Sequence, residues 1–327
     1  MATIKDVAKL AGVGTSTVSR YLNSSGYISD EARDKIRRAC DELNYTPNEL
    51  ARAMKRNQSM TIGVMIPTIC NPFFTELVHV IEQNLLRKGY KTVLCNTNGD
   101  IELEKNYLNM AISNCFDGII LITGSSEFLS IETKIPMILI DRINQHGKQH
   151  ISITSNNKQG AYLATKHLVE CGCQKLMYLY SEEDSLPVRE RMESFLEVVK
   201  EKKLAYLVKH VDEMNSLQLK QLIEDGVDGI FAWNDLTAVQ CLSYCAAAGI
   251  SIPEEVALIG YDNIAMSELV YPQLTTIAQP LEELGFLTSK YIINLIDGEI
   301  QAPAEVILDN TLMIRQSTKR NPNLQII

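Results

Sequence analysis

Between residues 61 and 263 the chain runs through a succession of short, largely apolar stretches: TIGVMIP, YKTVLCNT, DGIILIT, IPMILID, ISITS, QKLMYLY, YLVKHVD, DGIFAWN and VALIGYDN. A strand with one wet face alternates apolar and polar residues. Apart from ISITS these stretches do not, so they read as strands buried on both faces, which means parallel pairing with helices packed above and below. Helical patterns or polar turns follow each stretch, as crossover connections require. Nine or more such units imply an α/β fold with two doubly wound parallel sheets. IPMILID against IPEEVALIGYDN, and DGIIL against DGIFA, hint that one lobe is a distant copy of the other, although no strict repeat is present. With 46% hydrophobic residues in 327, the chain can bury a full core in each lobe.

The first 58 residues have another texture. They hold ten Lys and Arg against seven Asp and Glu, a charge of +3, so of the total −9 the remainder carries −12. A basic head on an acidic body fits a small module that binds a polyanion. Its GVGTSTVSRYLN stretch (Gly12–Asn23) allows two readings, a phosphate-cradling loop or a turn between helices. A dinucleotide loop must follow a strand and needs a third glycine. Here TIKD (Thr3–Asp6) is a capping box that starts a helix, Val7, Ala8, Leu10 and Ala11 give that helix an apolar face, and Gly12 stops it. The glycines therefore make a turn, and Val18 and Leu22 continue a second helix at helix-turn-helix spacing. A third helix follows from a Ser29 cap, with Ala32, Ile36, Ala39 and Leu43 on one stripe. Outside this small core stand Thr15, Ser16, Thr17, Ser19 and Arg20. Hydroxyls and N-terminal amides suit phosphates and base edges, and Arg suits bidentate reading of guanine. The bland alternative is an ordinary polar surface helix.

Beyond Pro47, NELARAMKR (Asn48–Arg56) is shorter than the roughly 12–15 residues at which an isolated helix becomes stable in water. Leu50, Ala53 and Met54 form an apolar edge beside Arg52, Lys55 and Arg56, which suits a helix that folds against a copy of itself on DNA. A plain charged linker is the alternative.

In open α/β sheets, ligands lie beyond the carboxyl ends of the strands. The residues there are Asn71 and Phe73, Asp141, Asn234 and Asp235, and Asp262, with Arg189 and Arg191 after the YLY run. Carboxylates, amides and a guanidinium with an aromatic ring make a site for a polyol. Taken singly, a strand-end Asp can simply cap the next helix, and Phe73 can be core. A glycosidase reading of Asp141 and Asp262 finds no feature that marks one carboxyl as the acid, and there is no GxSxG elbow, P-loop or metal motif, so neither an enzyme, a cofactor nor a metal is expected. The eight cysteines are scattered without a CxxC pair and read as reduced small hydrophobes, with Cys171-Gly-Cys173 the pair to watch for oxidation. No run of eighteen apolar residues and no secretory leader is present, so the expected location is cytoplasmic, with no membrane contact.

IKDVAKLAGVGTSTVSRYLN, ELNYTPNELARAM, NPFF (Asn71–Phe74), FDGIIL, ILIDR, AWND, IPEEVALIGYDN and PQLTTIAQPLEELG, in this order, give the chain a resemblance to the LacI/GalR-type bacterial transcriptional repressors over almost its whole length. The resemblance implies a helix-turn-helix head (1–46), a hinge helix and linker (47–59), and a bilobed core like a type I periplasmic binding protein (60–327). Lobe one would span roughly 60–154 and 281–312, and lobe two roughly 155–280 and 313–320. It implies a homodimer, sometimes a tetramer, on a pseudo-palindromic double-stranded operator, with a small-molecule effector, a sugar or sugar phosphate, in the cleft. By position, Thr15, Ser16 and Arg20 match base-reading residues, with Thr17 and Asn23 beside them. Tyr45 and Asn48 match hinge contacts, Ala51 lies in the same segment, and Met54 stands where a minor-groove leucine wedge is usual. Asn71, Phe73, Asp141, Arg191, Asn234 and Asp262 match the effector pocket. Gly14 replaces a more usual Ser cap, Ser194 the glycine of R-x-x-G-F, and Asn156-Asn157 an Asp-Asn, an exchange that bears on an inter-lobe contact. A ligand that strengthens DNA binding, or a partner protein, is the alternative within the family; a sugar-binding or sugar-cleaving protein is the alternative outside it.

Overall fold

A computed structural model describes residues 2–23, 25–46, 58–122, 133–142, 150–180, 185–300 and 304–318. The chain divides into two compact units, Met1–Ser59 and Met60–Ile327.

The first unit holds α1 (Ile4–Ala11), α2 (Thr15–Leu22) and α3 (Asp30–Glu42). The Thr3 hydroxyl accepts from the Asp6 amide while the Asp6 carboxylate accepts from the Thr3 amide, so the capping box is closed in both directions. Gly12 ends α1 at φ +65°, where its N–H donates back to the last carbonyls, a conformation that costs glycine little. Gly14 caps α2 with no side-chain hydrogen bond, whereas Ser29 caps α3 through the Ala32 amide. Val7, Ala8, Ala11, Val18, Ile36 and Ala39 close a core small enough that alanines supply half of it. Asn48, Ala51 and Met54, and with them most of the expected hinge, lie outside the described residues.

In the second unit, a six-stranded parallel sheet has the order β11-β5-β4-β3-β1-β2, with β1 Thr61–Ile66, β2 Lys91–Asn96, β3 Gly118–Ile122, β4 Met137–Ile140, β5 Ile151–Ser155 and β11 Ala304–Leu308. Helices α4 (Pro72–Leu86), α5 (Ile101–Ser113) and α11 (Leu281–Ile296) cover it. Ile62, Val64, Ile66, Ile120, Ile122, Ile138 and Ile140 meet Leu77, Ile81, Leu284 and Ile292 in one core, the period-free apolar signature of strands buried on both faces. Gly285 lets α11 approach α4 closely: a Cβ there would come within 2.6 Å of Val80.

A four-stranded parallel sheet, β7-β6-β8-β9, forms the second lobe from β6 Lys175–Tyr180, β7 Ala205–His210, β8 Gly229–Ala232 and β9 Ala257–Ile259. Its helices are α6 (Asn157–Glu170), α7 (Leu186–Glu201), α8 (Ser216–Glu224) and α9 (Asp235–Ala248), with a single turn, α10 (Met266–Leu269), after β9. The antiparallel pair β10 (Thr276–Ala278) and β12 (Thr311–Met313) joins β9's end through bridges at Thr275 and Ala278. The chain crosses between lobes after Ser155, at Gln279–Pro280, and at Asp309–Asn310. Because β12 pairs with β10, residues 311 and 312 sit with the second lobe, a difference from the expected boundary at 312; a three-residue strand is too short to reveal its partner by pattern. No helix among the described residues is long and apolar enough to cross a membrane.

Candidate functional site

On the head, Thr15, Ser16 and Arg20 are exposed on α2, while Thr17 and Asn23 are half-buried. Asn23 is held by its own helix, its Nδ2 donating to Ser19 Oγ at 3.3 Å. Tyr45 packs in part against the head core. The absence of a side-chain cap at Gly14 leaves the first-turn amides of α2 for an anion, and a phosphate at a helix N-terminus also meets the favourable end of the dipole. Hydroxyls, amides and a guanidinium on one short helix are the groups that bind a nucleic-acid backbone and read base edges.

In the body, the strand ends converge. Asp141 follows β4 at φ +48° and Asp262 follows β9 at φ +110°, conformations that side chains bearing a Cβ rarely adopt. Both are buried. Backbone of this kind costs of order 1–3 kcal/mol per residue, and it also occurs at Met60, Cys115 and Lys203, so it does not by itself mark a site. The Asp141 carboxyl accepts from the Ser155 amide at 3.0 Å. Asp262 accepts from Gln279 Nε2 at 2.8 Å, and its Oδ1 lies 3.6 Å from Arg191 Nη1.

Arg191 is the hub. It projects from α7, only 3% exposed, with Nε donating to Asn157 Oδ1 at 2.9 Å and Nη1 donating to the Trp233 carbonyl at 2.7 Å. Its guanidinium carbon lies 3.5 Å from the centroid of the Tyr261 ring. Tyr261 is itself pinned, its hydroxyl accepting from Asn310 Nδ2 at 3.0 Å and its ring stacking toward Phe231. Burial opposes the Arg191 charge, but Tyr261, Asp262, Tyr178 and Asp141 outweigh it and hold the guanidinium above its ordinary range. Burial pushes the Asp141 carboxyl up to about 6, against the pull of Arg191. Asp235, behind the cleft, is pushed well above the carboxylate range by burial and then by Asp262; it accepts from the Ile264 amide at 2.9 Å and from the Thr276 hydroxyl.

Asn71 and Asn234 are both helix caps, accepting from the Phe73 amide at 3.1 Å and the Thr237 amide at 2.8 Å. Phe73 belongs to the core of lobe one, edge-on to Phe74. Capping accounts for both asparagines, and core packing accounts for Phe73. Asn157, Tyr261, Ser155 and Gln279 enter the network without having been chosen from sequence. A Gln immediately before a Pro at the end of an apolar run, in IAQP, is the signal the sequence carries for Gln279; nothing local marks Ser155.

The exchanges from the family pattern are accommodated. Ser194 is buried with its hydroxyl donating to the Lys158 carbonyl at 2.9 Å. At Asn156, Oδ1 caps α6 through the Gln159 amide, while Nδ2 donates to Asp309 Oδ1 at 2.9 Å. Beside Asp309 an amide attracts where a carboxylate would repel. Next to Asp141, Arg142 is fully buried in an ion pair with Glu104 at 2.8 Å, which fixes the end of β4. No cluster of His, Cys, Asp and Glu among the described residues could hold a metal, and all eight cysteines are free thiols, four of them buried.

Residues 3–48 match the model of bacterial regulatory proteins of the lacI family, and residues 165–318 match a periplasmic binding protein-like domain. The chain is 37% identical over 331 residues, 99% of each chain, to the ribose operon repressor of Halalkalibacterium halodurans. It is 34% identical to the HTH-type transcriptional repressor PurR of Aliivibrio salmonicida, over 87% of this chain and 89% of that one. A crystal structure of a periplasmic binding protein/LacI transcriptional regulator from Alkaliphilus metalliredigens, complexed with D-xylulofuranose, superposes with a TM-score of 0.73 at 34% identity, covering 79% of this chain and 99% of that one.

Proposed function

Because the chain belongs to the LacI family of bacterial regulatory proteins, and is a DNA-binding transcriptional regulator, we propose that it represses a carbohydrate operon and is released from its operator by an uncharged sugar of pentose size. One observation carries the choice of ligand: the buried Asp262 carboxyl lies 3.6 Å from the Arg191 guanidinium, and the buried Asp141 carboxyl also feels that charge, so two carboxyls answer to one guanidinium. Sugar hydroxyls donate to carboxylates and accept from guanidinium and amide, so a polyol satisfies all three. Among the described residues two carboxyls answer to one guanidinium here, so a sugar phosphate would add negative charge at a cost magnified by burial. Two of the relatives point to a pentose: one is named for a ribose operon, and one is complexed with D-xylulofuranose.

Asn71, Phe73, Asn234 and the Tyr261 ring would frame the sugar while Asp141, Asp262 and Arg191 bind it. Thr15, Ser16 and Arg20 would read base edges, with Thr17, Asn23 and Tyr45 on the backbone and Asn48, Ala51 and Met54 in the minor groove of a pseudo-palindromic site held by a homodimer in the cytoplasm. Ligand need only favour one lobe arrangement over another; a coupling of about 1–3 kcal/mol already changes operator affinity 5- to 150-fold. The cleft binds and performs no chemistry. No cofactor is assigned.

The purified protein, titrated calorimetrically with D-ribose, D-ribose 5-phosphate and hypoxanthine, tests this, followed by operator binding with each hit. D-Ribose binding that weakens the DNA complex is the expected result. Tight binding of the phosphate or the purine alone overturns it. A ligand that strengthens DNA binding is the second reading, and the same titration separates the two by sign.

A further inference from the structure

Two of the three crossings between lobes are joined by a buried hydrogen-bond wire that ends on the cleft carboxyls. Ser155, the last residue of β5, is completely buried, and Gln279, directly after β10, is nearly so. Ser155 Oγ donates to Gln279 Oε1 at 2.7 Å, and Gln279 Nε2 donates to Asp262 Oδ1 at 2.8 Å. The Ser155 amide meanwhile donates to Asp141 Oδ1 at 3.0 Å. The wire thus runs from Asp141 on lobe one, through the first crossing and the second, to Asp262 on lobe two and on to Arg191 at 3.6 Å. Its polarity is fixed at one end, because an ionised carboxylate can only accept, so the amide must turn its NH2 toward Asp262 and its oxygen toward Ser155.

We propose that Ser155 and Gln279 are positioning residues that convert occupancy of the cleft into a change of lobe angle. A ligand hydroxyl that donates to Asp262 draws on the same oxygen that holds the Gln279 amide. Any shift of that amide is felt at the Ser155 hydroxyl, on the other crossing strand. The crossing strands are the segments whose dihedral angles must change for the lobes to reorient, so the ligand acts on the hinge through two side chains rather than only by pulling the lobes together. The third crossing has its own clamp, in which Asn310 donates to the Asn156 carbonyl at 2.7 Å and exchanges hydrogen bonds with Gln159, and that clamp touches no cleft carboxyl.

The inference rests on the ligand reading for one arm of its test only. Full-length parent, Ser155→Ala, Gln279→Leu and the double variant are titrated with a duplex selected by the parent from random DNA, with and without D-ribose at a concentration that saturates each protein, so that altered affinity does not enter. The expected result is a ratio of operator affinities, with and without sugar, that falls at least fivefold in Ser155→Ala and no further in the double variant. A Ser155→Ala protein that keeps the parent's ratio overturns the proposal. If the parent itself ignores D-ribose, the pentose reading fails, and the wire is judged on sugar-free operator affinity: non-additive changes across the four proteins support it, and additive or absent changes overturn it.

Discussion

The Arg191 guanidinium carbon lies over the Tyr261 ring, 3.5 Å from its centroid, while its Nε and Nη1 are committed to Asn157 and to the Trp233 carbonyl. Stacking needs a plane and the two hydrogen bonds need a fork. Lysine has neither. Arg191→Lys should therefore lower D-ribose affinity by at least about tenfold and cost about 1–3 kcal/mol of stability in urea, the loss expected for buried polar partners left unpaired. A variant that binds sugar like the parent would remove Arg191 from the pocket.

Stability should fall as pH rises from about 4 to about 7. Burial raises the Asp141 carboxyl to about 6, from an unfolded value near 3.8. Between those values the folded state binds more protons than the unfolded state, so the stabilisation is complete below the unfolded value and is lost as pH climbs through the folded one. The shift is worth up to about 3 kcal/mol, and Asp235 works in the same direction. Asp141→Asn removes the titration; urea denaturation across the series should show its advantage over the parent growing with pH. Parallel curves would contradict the assignment.

Gly160 leaves no room for a side chain. A Cβ there would collide with the Tyr261 hydroxyl and come within 3.0 Å of Asn310 Nδ2. Gly160→Ala should cost about 1–3 kcal/mol through overpacking, and should weaken sugar binding as well, because displacing Tyr261 removes the surface on which Arg191 rests. Calorimetry and thermal melting report the two effects separately.

Asn156→Asp restores the residue more usual in the family and should be unfavourable here, because the new carboxylate would face Asp309. The pair is exposed, so the expected loss is small, about 0.5–1 kcal/mol, and should shrink when salt is raised. A double change that also replaces Asp309 with Asn should recover it in a double-mutant cycle.

Arg20→Ala should reduce operator affinity by about 1–3 kcal/mol and relax preference at one base pair of each half-site, whereas Lys5→Ala should leave sequence preference intact. Arg20 is exposed and outside the head core, so the melting temperature should not move. Equal binding of all duplexes by the parent would sink the reading of α2.

What the sequence determined by itself was everything carried by local pattern. The capping box at Thr3 and Asp6 and the left-handed stop at Gly12 are contacts within a few residues, so their partners can be read off the chain. The apolar runs from TIGVMIP to VALIGYDN are strands because a strand buried on both faces needs apolar residues throughout, wherever its neighbours come from. The strand-end carboxyls were legible for the same reason: parallel sheets expose one end to ligands, and that end is known once the strand is. Tertiary structure alone decided which of those residues meet. Asn71 and Asn234 turned out to be helix caps, and Phe73 lies in the core. Asn157, Tyr261, Ser155 and Gln279 joined the network from positions that are far apart in sequence, up to 124 residues for Ser155 and Gln279. A hydrogen bond across such a separation leaves no periodicity or spacing in the chain, because it depends on where two crossing strands are brought together by the packing of the sheets they connect.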